Sequence, residues 1–76
     1  MSELSAALRP ALGLLEISSV AVGVLAGDAM VKRAPVSVLR VGTVHPGKYL
    51  VLVGGEVADV EEALEAGREI AGGNLA

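Results

Sequence analysis

Pro10, Pro35 and Pro46, together with the glycine pairs Gly54-Gly55 and Gly72-Gly73, cut this chain into short pieces, and the cuts limit what it can fold into. Proline has no amide donor and disfavours helix at the residue before it, while paired glycines end regular structure at little steric cost. The pieces are long enough for one strand or one helix, and residues 11–34 for one of each. A chain of 76 residues divided in this way makes one domain at most.

Residues 1–10, MSELSAALRP, read as a leader closed by Pro10. From Ala11 the run ALGLLEIS predicts a first strand, with Ala11, Gly13, Leu15 and Ile17 on one face and Leu12, Leu14, Glu16 and Ser18 on the other. Both faces are largely apolar, so burial on most of both is expected. Ser18 and Ser19 supply hydroxyls that cap a helix from Val20 to Ala34, which Pro35 stops. Its stripe of Val20, Gly23, Val24, Gly27, Val31 and Ala34 is expected to face the sheet. On the other side Val22, Leu25 and Ala29 sit beside Asp28, Lys32 and Arg33, an aliphatic cluster rimmed by charge that suits a subunit contact.

Pro35 to Val44 predicts a second strand and Lys48 to Val53 a third, paired as a hairpin through the turn His45-Pro46-Gly47. Gly54-Gly55 is expected to break the third strand. Glu56 to Asp59 leads into a second helix whose early acidic residues favour the helix dipole. Val60, Ala63, Leu64, Gly67, Ile70 and Ala71 form its expected inner stripe. Glu61, Glu62, Glu65 and Glu69, relieved by Arg68, form an acidic outer face, and Gly72-Gly73 ends the helix. The order is β-α-β-β-α: a small α/β (α+β) domain with an antiparallel sheet.

The core of such a domain must be built from Ala, Val, Leu and Gly, because the chain has no Phe, no Trp and a single Tyr. At roughly 25 cal/mol per Å² buried, small side chains struggle against an ordering cost of about 1.5 kcal/mol per residue. Oligomerisation is the natural remedy. Disulfides are not available, since there is no Cys, and that points to a reducing cytoplasm. A net charge of −3 with six Lys and Arg argues against nucleic acid as a partner. The charge-free stretch between Glu16 and Asp28 is shorter than the roughly 18 residues a membrane span needs, and no basic patch leads into an apolar run as in a signal peptide.

Catalytic machinery is scarce. One His and no Cys exclude a thiol nucleophile and a multi-histidine metal site, and Ser18-Ser19 has no neighbouring base. No phosphate-loop motif occurs. Carboxylates spaced four apart on the second helix fall short of the six or more oxygens that calcium takes. No catalytic residue, metal or cofactor is expected.

Three runs carry a resemblance. Ala11-Leu12-Gly13-Leu14-Leu15-Glu16 resembles the opening strand of bacterial-microcompartment shell domains, A-L-G-x-[IV]-E. Asp28-Ala29-Met30-Val31-Lys32-Arg33-Ala34 is similar to their D-A-M-V-K-x-A helix end, and Gly55 to Ala63 resembles their G-D-V-x-x-V-x-x-A turn into the second helix. The runs stand in the family's order and spacing over residues 11 to about 71.

The resemblance implies the ferredoxin-like fold of that family and a structural role: self-assembly into hexameric tiles, or pseudohexameric trimers of tandem domains, with a central pore for metabolites. It implies homo-oligomers, other shell proteins and encapsulated enzymes as partners, no membrane and no nucleic acid, in a cytoplasmic shell. Carried over by position, Lys32 matches the family's edge lysine, with Leu25, Asp28 and Arg33 beside it in the tile-edge contact. His45, Pro46, Gly47 and Lys48 match the pore-lining turn, where Lys48 and His45 from several copies would make a cationic throat favouring anions. Read without the resemblance, the same turn merely closes a hairpin, and Lys32 is a helix-end lysine favourable to the dipole.

The leader and the Gly47-Lys48 pair look more like the first half of a tandem protein than the plain hexameric type. The pattern departs at the end, where the family continues into a fourth strand and this chain stops at Gly73-Asn74-Leu75-Ala76. The domain, residues 11–76, is thus expected to lack its terminal strand and to leave a sheet edge open. Three arrangements answer this: truncation, a strand on a second chain or further part, or exchange within the assembly. The competing reading of a β-α-β-β-α unit is an oligomeric regulator that binds a small ligand between subunits.

Overall fold

The computed structural model describes residues 10–45 and 47–76. The leader before Pro10, and Pro46 of the turn, lie outside the described residues. The elements are β1 (Ala11–Ile17), α1 (Val20–Arg33), β2 (Ser37–His45), β3 (Lys48–Gly55), α2 (Val57–Ala71) and a 3-10 turn over Gly72–Asn74. The expected order therefore holds, as a three-stranded antiparallel sheet in the order β1-β3-β2.

Register fixes the faces. Gly13, Leu15 and Ile17 of β1 lie opposite Val53, Val51 and Tyr49 of β3, and side chains alternate along a strand. That set meets the helices: Leu15, Ile17, Val51 and Val53 are buried together with Ala26 and Met30 of α1 and Val60 and Ala63 of α2. The second face of the sheet has no helix layer among the described residues, so Leu12 is 69% and Leu14 55% exposed. This corrects the expectation that β1 is buried on both faces; both helices took the same side.

The helix termini follow local chemistry. The Ser19 hydroxyl accepts from the Val22 amide at 3.3 Å at the start of α1, and Lys32 and Arg33 stand in its last turn. Helix α2 ends at Gly72, whose φ of 52° favours glycine and whose N–H donates to the Arg68 carbonyl.

The inner face of α1 differs from the expected stripe. Gly23, Ala26 and Met30 are buried, with Val22 half-buried against the core, while Val20, Val24 and Val31 are exposed. The helix is apolar almost all round, so hydrophobic pattern alone does not set its rotation; fit does. A Cβ at Gly23 would collide with the Tyr49 ring, and one at Gly67 of α2 would lie 2.7 Å from Leu15 Cδ2 and 2.8 Å from Met30 Sδ. Those two absences let both helices lie close to the sheet and to each other.

Two further expectations change. Ile70 is exposed and Ala66 takes its place inside α2. Gly54-Gly55 does not break β3: Gly54 pairs with Leu12 and with Ser37, and Gly55 with Ala11. Their lack of side chains leaves room, since Leu39 Cδ1 would lie 3.0 Å from a Cβ at Gly54. Leu39 is the extra residue where the β2–β3 register shifts between Val38 and Arg40, and a second shift falls between Thr43 and His45.

The chain's last residues reach the free edge of β1. Ser18 N–H donates to the Asn74 carbonyl at 2.7 Å and Ala76 N–H to the Glu16 carbonyl at 2.9 Å, with Leu75 bridging Ile17. From Leu15 back to Ala11 that edge has no partner among the described residues.

Candidate functional site

Two places follow from the sequence: the exposed end of α1 and the turn between β2 and β3. The helix places them apart. Val20 starts α1 beside the Tyr49 end of the sheet, and Lys32 stands about 18 Å further along the axis.

Midway along α1, Leu25 is 62% exposed. One turn on, Asp28 accepts Lys32 Nζ at 2.7 Å, an i,i+4 pair on the outer surface. That hydrogen bond, and then the carboxylate's charge, holds the Lys32 ammonium above its ordinary pKa. Leu25, Asp28 and Lys32 therefore share one face. Arg33 turns away from them. Its Nη2 donates to Glu69 Oε2 at 3.0 Å and Nη1 lies 3.6 Å from Glu62 Oε2, so it fastens α1 to α2. Glu69 first, by hydrogen bond, raises the Arg33 pKa. Glu62 and Glu69, read from sequence as a solvated acidic face, thus acquire a partner that only the packing of the two helices reveals. A shallow open groove of about 360 Å³ runs between these helix ends, lined by Ala29, Lys32, Arg33, Ala66, Glu69 and Ile70.

The turn stands at the other end of the molecule. His45 ends β2 and pairs in register with Lys48, the first residue of β3. Gly47 between them has a φ of 80°, a left-handed conformation that favours glycine. Lys48 Nζ lies 3.6 Å from Glu16 Oε1 on β1, both side chains partly exposed. The sequence did not single out Glu16 for this. Residues 16 and 48 become neighbours only because Ile17 pairs with Tyr49 in the β1–β3 register.

Around these places the surface is unusually apolar. On the open sheet face Leu12 and Leu39 flank Gly54, with Leu14 beside them. On the helix side, Val20, Val24 and Val31 of α1 and Val38 and Val41 of β2 form an exposed valine flank. Exposed apolar side chains in such number on a small domain suit contact sites. Among the described residues no cluster of three or more acidic or histidine side chains is placed to hold a metal ion. Among the same residues no helix is long and apolar enough to cross a membrane.

The sequence profile described as BMC domain matches residues 11–76. The chain belongs to that family. It is 46% identical over 68 residues to the bacterial microcompartment shell protein PduT of Citrobacter freundii, covering 90% of this chain and 37% of that protein. It is 42% identical over 57 residues to the bacterial microcompartment shell protein EutK of Salmonella typhimurium, covering 75% of this chain and 35% of that protein. A crystal structure of a microcompartments protein from Desulfitobacterium hafniense superposes with a TM-score of 0.87 at 42% identity, over 88% of this chain and 37% of the other. The BMC-domain chain thus spans little more than a third of the length of these relatives, and it shares their fold.

Proposed function

We propose that this BMC domain is a structural unit of a bacterial-microcompartment shell, which does no chemistry itself and works by joining copies or related domains into flat tiles. The observation that carries the reading is the pair of apolar surfaces left exposed among the described residues, the leucine face and the valine flank, on a domain whose relatives are shell proteins. A sheet covered on one side only is an unfinished core, and neighbouring subunits finish it. In the tandem-half form of this reading, a second such domain completes a pseudohexameric trimer.

In this arrangement Leu25, Asp28 and Lys32 form the tile edge. The long aliphatic stem of Lys32 lies flat on a neighbour while its ammonium exchanges Asp28 for a partner's oxygen. Arg33 contributes by holding the two helices in line. His45, Pro46, Gly47 and Lys48 line the axial opening. Other shell proteins and enclosed enzymes are the partners, in a shell within the cytoplasm. The regulatory alternative has no observation in its favour.

The test is native mass spectrometry with negative-stain imaging of the full-length protein and of Lys32→Asp. The wild type is expected as rings that associate into sheets or closed shells, and the variant as discrete rings. A wild-type protein that stays monomeric at high concentration refutes the reading.

A further inference from the structure

Lys48 is the only cation that the described part of the turn offers, and the fold does not leave it alone. Glu16 is fixed beside it twice over. Its strand is locked to β3 by the pairing of Ile17 with Tyr49 and of Glu16 with Leu50. Its own carbonyl is held by the Ala76 amide at 2.9 Å. Oε1 and Nζ stand 3.6 Å apart, too long for a strong charge-assisted hydrogen bond and partly in water, so the contact adds little stability. Cancellation of charge needs no strong bond. Two opposite charges set side by side by backbone register act at a distance as a dipole, whichever rotamers they adopt.

Among the described residues the next cation on that face of the sheet is Arg40, opposite Leu52 and about 14 Å back along the ladder from Lys48. That exceeds the screening length of about 8 Å at physiological salt. Among the described residues nothing on the open leucine face between Glu16 and Arg40 is charged: Leu14, Leu50, Leu52 and Gly42 occupy it. Among the described side chains, the electrostatic character of the turn therefore depends on the Glu16–Lys48 pair.

We propose that Glu16 is a specificity-determining residue of the axial opening: as the fixed counter-charge of Lys48, it keeps the throat near neutral and prevents the anion preference that the turn sequence alone implies. This rests on the reading that the β2–β3 turn lines an opening in the assembled tile. Repetition around the axis gives the pair its effect, since each copy of a ring would otherwise add one uncompensated positive charge to the same narrow space.

The experiment measures reversal potentials across a KCl gradient for tiles of the full-length protein reconstituted in planar bilayers. It is run near 0.1 M salt, where the screening length is about 10 Å, and at pH 8, where an ordinary imidazole is neutral. Wild type is expected to be weakly selective. Glu16→Gln is expected to raise the chloride-to-potassium permeability ratio on the order of tenfold, and Lys48→Gln to lower it by a similar factor. The exchange variant Glu16→Lys with Lys48→Glu restores the wild-type ratio. If Glu16→Gln does not assemble, Lys48→Gln against the exchange variant decides the matter by itself. A wild type already anion-selective, unmoved by Glu16→Gln and neutralised by Lys48→Gln, overturns the role of Glu16 while leaving the turn at the opening. Identical ratios in every variant overturn both.

Discussion

Gly23 and Gly27 stand one turn apart on the same side of α1, yet the structure gives an added methyl group opposite consequences at the two positions. At Gly27 a Cβ would meet Val51 Cγ2 at 3.5 Å, an ordinary contact. Replacing a mid-helix glycine by alanine is then worth up to about 1 kcal/mol through the backbone freedom removed from the unfolded chain. At Gly23 the same methyl would stand 2.6 Å from both Cβ and Cγ of Tyr49. Those atoms are the root of the side chain, anchored to β3, and cannot swing away as a methionine tip would. Relief requires α1 to lift or β3 to bend, an overpacking cost of about 3 kcal/mol against the same gain of about 1. Gly27→Ala is therefore expected to stabilise by about 0.5–1 kcal/mol and Gly23→Ala to destabilise by about 2. The gap between them corresponds to on the order of 10–20 °C in Tm for a domain of this size. Calorimetry on both variants at matched concentration, with assembly state checked alongside, measures it. A Gly23→Ala protein as stable as Gly27→Ala would show that the helix does not rest on the tyrosine, and with it the rotation assigned to α1 would fall.

The edge contact is expected to be indifferent to pH between 7 and 9. The Lys32 pKa is raised in the folded chain by Asp28, so whatever that pair contributes is complete below the unfolded lysine value of about 10.5 and is lost only as pH rises beyond the folded value. Light scattering of tile association across that range should be flat, and a midpoint near 8 would assign the contact to another group. Arg33→Gln is expected to loosen the ends of α1 and α2, giving faster amide exchange at Lys32 and Ile70 with little change at Ile17; equal change at both excludes the staple. Leu12→Glu and Val24→Glu should each leave the domain folded, since both side chains are more than half exposed, but each should stop ring formation. Mixing the two variants should restore a single good contact and yield dimers by native mass spectrometry. Rings formed by either variant alone would remove its patch from the interface.

Much of this fold was legible because the local signals agreed with one another. Ser19 capped the helix it precedes, Pro35 followed α1 closely, and the alternation in ALGLLEI placed Leu15 and Ile17 inside. What failed to show was whatever depends on shape or on distant neighbours. The α1 sequence VAVGVLAGDAMV is apolar on nearly every side, so its rotation was settled by Tyr49 filling the gap over Gly23 and by Met30 lying against Gly67. Gly54-Gly55 read as a break because glycine usually weakens a strand. Here the space above Gly54 is taken by Leu39, displaced onto it by the shift in β2. The pairing of Glu16 with Lys48, and of Arg33 with Glu69, joins residues more than thirty positions apart. No periodicity within a single element carries that information; the register of β1 on β3 and the closeness of the two helices do.

The placement of the two apolar surfaces also bears on how copies can meet. The leucine face lies on the side of the sheet away from the helices, whereas Val24 of α1 and the inward-facing Val38 and Val41 of β2 lie on the helix side. A two-fold contact joins a patch to itself, so it would hide one of these surfaces and leave the other in water. A head-to-tail contact joins unlike patches, and where its rotation closes into a ring it covers both on every subunit. On the proposed shell reading, the thinness of the described domain, one helix layer on one sheet, is what leaves both surfaces for neighbours to cover.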